Sequence, residues 1–227
     1  LLTQLVESGA VDAQRTEPYQ KLFRTYNRYL DAVKGMREVT ALSVGQEMTL
    51  DAGSFKLKSS EQTATDLTAL RSLTERTVTL SATGAADKTF NAESYVEDGS
   101  RYQTVNGVRS RRALTEEEQE GLFAGYGCVP VTLIDTISVS GQTYTITYNQ
   151  AGERRLSAAL DLIGAAVGST EEMQMDGLKL VQQTEAGRIA SQQMQMRSTL
   201  GEISGTMEST AQLRAVNDKG TVRRPAE

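Results

Sequence analysis

FNAESYVEDGSRYQTVNGVRSRRAL, residues 90–114, holds two tight-turn dipeptides, Asp98-Gly99 and Asn106-Gly107, between runs of β-formers. Asp-Gly and Asn-Gly accept the positive φ values that a two-residue type I′ hairpin requires, and the twist of that turn matches the strands it joins. Tyr95, Val96, Tyr102, Val105 and Val108 supply the β preference, and charged or polar residues lie between them. The stretch therefore predicts a three-stranded antiparallel meander.

Upstream, Thr16-Glu17-Pro18 combines a capping hydroxyl, an acid at the positive end of the dipole and a first-turn proline. Tyr19, Leu22, Phe23, Tyr26, Leu30 and Val33 then fall on one helical face, and Gly35 is the expected stop. Such a stripe is the pattern of a helix packing on a sheet. Leu1, Leu2, Leu5 and Val6 suggest a further short helix before it. Between the long helix and the meander, Val39–Leu50, Ser54–Leu70 and a run beginning at Thr77–Leu80 read as strands, with turns at Asp51-Ala52-Gly53 and Gly84.

Downstream, Thr115 and Glu118 have capping-box spacing ahead of one or two helical turns. Three consecutive glutamates there lack the alternating oxygen ligands and turn glycine of a calcium loop. Ala124–Pro130 is glycine-dense, but it has neither a G-x-G-x-x-G nor a GK[ST] phosphate cradle. Val131–Ser138 and Gln142–Tyr148 predict a hairpin around Ser140-Gly141, and Tyr144, Ile146 and Tyr148 alternate with threonines as in a half-buried strand. Leu156, Ala159, Leu160, Ile163 and Val167 mark a second amphipathic helix over 153–167. Leu178–Thr184 and Arg188–Leu200 flank a turn at Glu185-Ala186-Gly187, and Thr206–Val216 follows a break over Gly201–Gly205.

Helices followed by successive antiparallel strands indicate an α+β domain, in which a curved antiparallel sheet is covered by a few amphipathic helices. One domain over 1–227 is expected, with 1–16 and 218–227 peripheral. The glutamines at 182, 183, 192, 193 and 195, with many threonines, suggest a sheet wet on its outer face.

Composition removes several function classes. The chain has no His and one Cys, Cys128. That excludes imidazole-based triads, an intramolecular disulfide and a cysteine zinc cluster, and leaves the thiol without an activating partner. A net charge of -5 argues against a nucleic-acid groove and against an anionic membrane surface. No apolar run is long enough for a transmembrane helix. Carboxylate pairs alone can hydrolyse glycosides, but no two of the 29 acids are singled out. The reading is a non-enzyme with no metal and no cofactor.

The order of elements also resembles the LolA and LppX superfamily of bacterial envelope lipoprotein-type proteins. The likeness is carried by the N-terminal amphipathic helix, SYVEDGSRY at Ser94–Tyr102, the short helix after Leu114, and the TYTITY strand. The closing DGLKL...GRIASQQMQM pattern from Asp176 to Met196 completes it. The resemblance implies an unclosed half-barrel plugged by helices, an apolar cavity for acyl chains or other lipids, and an extracytoplasmic place in the cell envelope. The start at Leu1-Leu2, without an initiator Met, fits a leader or lipid-anchored segment having been removed. The expected function is binding of a lipid or another small hydrophobic ligand in a cleft between sheet and helices. Tyr26, Tyr144, Tyr148, Met194, Met196 and Met207 are its candidate lining, chosen for apolarity and strand face, with an ordinary packed core as the other reading of the methionine faces. The alternative is a structural or sensing envelope module that works through protein contacts, with an edge strand pairing to a partner.

Overall fold

A computed structural model describes residues 13–116, 119, 129–153, 173–200, 203–218 and 222. Helix α1 (Ala13–Ala32) opens the described chain, and a 3-10 turn follows at Lys34–Glu38. Eleven strands come next: β1 (Ala41–Asp51), β2 (Phe55–Asp66), β3 (Arg71–Ala82), β4 (Lys88–Glu97), β5 (Ser100–Val105), β6 (Val108–Ala113), β7 (Ile134–Ser140), β8 (Thr143–Tyr148), β9 (Met173–Glu185), β10 (Arg188–Leu200) and β11 (Ile203–Val216). They form one sheet in the order β6-β5-β4-β3-β2-β1-β11-β10-β9-β8-β7. Every pairing is antiparallel. The two ends, β6 and β7, do not pair, so the sheet is an open, curved half-barrel. Bulges at Ser43/Val44, Ile134/Thr136, Ile189/Ser191 and Gln195/Arg197 add local bend and twist.

Turn chemistry sets this topology. Asp98-Gly99, Asn106-Gly107 and Ala186-Gly187 all have both residues at positive φ, the type I′ condition, and each joins strands through two residues. The expected meander is present as β4–β6. The run expected as one strand over Ser54–Leu70 is instead β2 plus the turn into β3. The Asp66 carboxylate accepts hydrogen bonds from the Thr68 and Ala69 amides at 2.9 and 3.0 Å and from the Thr68 hydroxyl at 2.6 Å. The chain therefore reverses without a glycine, and Leu70 takes φ +50°.

Other boundaries differ from expectation. The described part of helix α1 already includes Ala13, ahead of the start expected at Thr16, and Thr16 is fully buried. Gly35 sits within the 3-10 turn after the helix has ended. Its amide donates to the Gly187 carbonyl at 2.8 Å, and a Cβ there would lie 2.9 Å from that oxygen. The glycine is required by close approach to the β9–β10 turn, and not as a helix cap. Val131–Leu133 forms a 3-10 turn rather than the start of β7, and Gly205 lies inside β11 rather than in a break before it. The short helix at Leu1–Val6, Cys128, most of the 153–167 helix and the tail after 218, apart from 222, lie outside the described residues; residues 150–153 are helical.

Helix α1 covers one face of the sheet at the β7–β10 end. Tyr29 and Val33 pack with Ile134, Ile137, Tyr144, Ile146, Leu180 and Ile189. The 3-10 turn extends the cover, because Met36 also touches the cluster of Val39, Leu42, Val44 and Ala211. Burial at this scale is the main source of stability for a helix of marginal intrinsic propensity.

Candidate functional site

Register aligns side chains across the covered face into rows, because residues paired between neighbouring strands point to the same side. One row runs through nine strands: Phe90, Val78, Ser59, Met48, Ser209, Met194, Leu180, Ile146, Ile137. Beside it run Leu80, Leu57, Leu50 and Met207, and Met207 pairs with Met196. Together they make an apolar band. Ile146, Leu180, Met196, Met207 and Leu57 are buried; Met48, Leu50, Met194, Val78 and Leu80 are half-buried; Phe90, beyond them, is 39% exposed. The band thus starts in the core under α1 and emerges toward β4. From β10 to β4 it crosses five inter-strand steps of about 4.8 Å, or roughly 24 Å.

Its inner part is rich in methionine. Leu178, Met196 and Met207 form a buried cluster, with Met48, Leu50, Tyr148 and Met194 packed against it. Tyr148 and Met194 also touch the α1-covered cluster, so they join the two. Leu178 reaches this cluster from a bulge at Gly177, whose φ is +67°. The Glu153 carboxylate accepts the Gly177 and Leu178 amides at 3.0 and 3.4 Å, which ties the helical turn at 150–153 to the sheet. Burial pushes the Tyr148 phenol up to about 12, since the phenolate would lose hydration among apolar neighbours.

A polar row bounds the band on one side: Arg76, Glu61, Gln46, Ala211, Gln192, Gln182 and Tyr144 are paired in succession. Glu61 accepts hydrogen bonds from Arg76 Nε at 2.6 Å and from Thr63 Oγ1 at 3.0 Å. Gln46 Nε2 donates to Ser209 Oγ at 2.9 Å. Gln182, expected on a wet face, is only 2% exposed. Its Oε1 accepts the Tyr29 hydroxyl at 2.7 Å and its Nε2 donates to Gln192 Oε1 at 3.3 Å. A buried amide is tolerated once it is hydrogen-bonded. Gln183, Gln193 and Gln195 are exposed, as expected.

The six residues singled out in the sequence lie on the covered face of the sheet or on the helix above it, in two settings. Tyr26 and Tyr144 belong to the helix–sheet contact. The Tyr26 hydroxyl donates to the Val129 carbonyl at 2.9 Å and the Tyr144 hydroxyl to the Arg28 carbonyl at 3.2 Å. Tyr29 lies between them, tilted to Tyr26 and edge-on to Tyr144, with ring centroids 6.0 and 5.3 Å away. Tyr148, Met194, Met196 and Met207 belong to the methionine-rich part of the band. Met48, Leu50, Leu57, Val78 and Leu80 were not singled out, because each strand shows only one or two large apolar residues; the hairpin turns, by fixing register, were the signal that could have aligned them. A separate dent between the 3-10 turn and the sheet, lined by Met36, Val44, Ile189, Ala211 and Leu213, has a volume of about 10 Å³ and holds no more than a water.

Among the described residues no three His, Cys, Asp or Glu side chains are grouped so as to hold a metal ion, and no helix is long and apolar enough to cross a membrane. The backbone is similar to that of LprF from Mycobacterium bovis, with a TM-score of 0.48 and 12% identity over 90% of this chain and 98% of that one. A porin-like protein from Bacteroides uniformis matches 79% of this chain and 98% of its own, at a TM-score of 0.30 and 9% identity. A DUF1329 family protein from Desulfovibrio piger matches 90% and 95%, also at 0.30 and 9%. No family model and no curated protein matches the chain. These likenesses concern the course of the backbone and assign no residue a role.

Proposed function

We propose that the protein is a non-catalytic binding module for a lipid or similar apolar molecule, and that an alkyl chain lies along the band on the covered face of the sheet. The observation that carries this reading is the row from Met194 and Met196 through Met48, Leu50, Leu57, Val78 and Leu80 to Phe90, which is buried at one end and open at the other. A half-buried apolar surface of this continuity is unusual in a sheet whose neighbouring row is Arg76, Glu61, Gln46 and Gln192. Methionines at its inner end adapt to ligands of differing shape. The span of roughly 24 Å exceeds the ~15 Å that one acyl layer occupies in a bilayer, so a single chain fits along it. Tyr26 and Tyr144 then act by holding α1, while Tyr148, Met194, Met196 and Met207 touch the ligand. The family resemblance supports an extracytoplasmic location in the cell envelope.

The test is native mass spectrometry of the protein purified from a bacterial host, followed by organic extraction of whatever co-purifies. A bound lipid is expected, and Leu80→Asp should lower its occupancy by roughly tenfold, since removing one leucine contact forfeits about 1.5 kcal/mol or more. A clean mass that persists after incubation with lipid extracts sinks the reading.

A further inference from the structure

The other end of the sheet carries a surface that the band does not explain. Residues 101–114 contain Arg101, Arg109, Arg111 and Arg112 and no acid, a local formal charge of +4 in a chain of -5, which leaves -9 for everything else. These basic residues are thus gathered on the β5–β6 hairpin, with Asp98 and Glu116 beyond its far end from the Asn106-Gly107 turn. All of β6 is exposed, and at the tip of the β5–β6 hairpin Val105 is 43% and Val108 72% exposed. Val105 and Val108 pair directly beside the Asn106-Gly107 turn, on the same face as Phe90. Arg109 adjoins this tip, and Arg111 and Arg112 lie farther along β6; Arg112 shares the face of Val108, while Arg109 and Arg111 point to the other. Arg111 lies over the Tyr102 ring, 5.1 Å from its centroid, and donates to Ser100 Oγ at 3.3 Å. Of the nearby acids on β4, Glu97 is held by Arg71 at 2.8 Å, and Glu93 lies across β5 from Arg109.

We propose that this hairpin docks the protein on an anionic phospholipid surface, the valines entering the interface and the arginines meeting phosphates. Two features favour lipid over a protein strand. Arginine on both faces of a six-residue edge opposes strand addition, and the apolar residues cluster at the tip rather than along the edge, as in an interfacial anchor backed by basic residues. The inference stands apart from the ligand reading, since it concerns a surface contact that needs no bound cargo.

The chain has no Trp, so Val108→Trp places a single reporter at the tip. On mixing with phosphatidylcholine–phosphatidylglycerol vesicles its emission should shift to the blue, reverse with added salt, and stay unshifted with phosphatidylcholine alone. Ser138→Trp, exposed on β7 at the opposite edge, should not respond. Adding Arg109→Gln, Arg111→Gln and Arg112→Gln to the tip reporter should weaken binding by at least about tenfold. No shift at Val108→Trp, an equal shift at Ser138→Trp, or binding unchanged in the triple variant overturns the proposal. So does a blue shift that grows with protein concentration when no vesicle is present, which would mean that the edge pairs with a second copy of the chain.

Discussion

The two halves of the sheet are built alike along the backbone and unlike in their side chains. At the β7–β10 end, Tyr144, Ile146 and Tyr148 put a large apolar residue at every inward position of β8, and α1 lies on them. At the other end, the inward residues of β2 are Phe55, Leu57, Ser59, Glu61, Thr63 and Thr65, two large apolar side chains in six. That half buries Leu57 and Val96 among polar rungs such as Thr63–Thr74 at 3.1 Å and Thr65–Ser72 at 3.3 Å, each a cross-strand pair worth about 0.2–1 kcal/mol. Continuity of a sheet comes from turns and hydrogen bonds, whereas cover comes from composition. The sharpest test of this contrast is a pair of truncations in the same cross-strand row. Ile146→Ala, at a fully buried site, should cost about 3 kcal/mol, and Val78→Ala, half-buried farther along that row, about 1 kcal/mol or less, both read from urea midpoints. Equal losses would mean that the outer half is as tightly packed as the inner.

A second test concerns how the covered half accommodates polarity. Tyr29 is fully buried and its hydroxyl both donates to Gln182 and accepts the Val129 amide, at 2.7 and 3.4 Å. Tyr29→Phe keeps the ring and removes that donor from a buried amide oxygen, so a loss of about 2 kcal/mol is expected in denaturant unfolding. A loss near zero would show that water or a neighbour replaces the hydroxyl, and that Gln182 is not anchored by the helix.

The contrast also explains what could be read in the sequence. Asp-Gly, Asn-Gly and Ala-Gly turns were legible because positive φ is a property of two adjacent residues, and they fixed the meander and the β9–β10 hairpin. The turn at Leu67–Leu70 was not, because its signal is one Asp66 side chain and it contains no glycine. Gln182 looked like a solvent residue because its partner, Tyr29, is 153 positions away in sequence. Tyr148, Met194, Met196 and Met207 were found as apolar residues on a strand face. Their continuation through Met48, Leu57 and Val78 exists only once eleven strands are in register.

The turn positions give a third, smaller effect. Gly107 has φ +82° and open space where a Cβ would stand, so Gly107→Ala is opposed by backbone strain alone, about 1 kcal/mol. Because β6 is an exposed edge, the change should appear as faster amide exchange confined to β5 and β6, with little movement of the global midpoint. Loss of protection reaching β8 would show that the outer hairpin and the helix-covered half unfold as one unit.

The smallest effect is expected at the polar row itself. Arg76 and Glu61 face each other across β3 and β2, with side chains 46% and 17% exposed. A pair with its arginine half in water gains modestly from its charge and is screened by salt, and Glu61 keeps the Thr63 hydroxyl as a donor, so breaking it with Arg76→Ala should cost about 0.5 kcal/mol. Its value lies in position, since it separates the apolar band from the threonine rungs of β2 and β3. Replacing both partners, Glu61→Leu with Arg76→Leu, leaves no unpaired charge and widens the band by one row. Stability should then stay within about 0.5 kcal/mol of the original while retention of an extracted lipid rises, because each leucine adds apolar area beside the chain. Unchanged lipid retention in a variant that still folds would confine the binding surface to the two rows between Met196 and Phe90, with the ion pair playing no part in its edge.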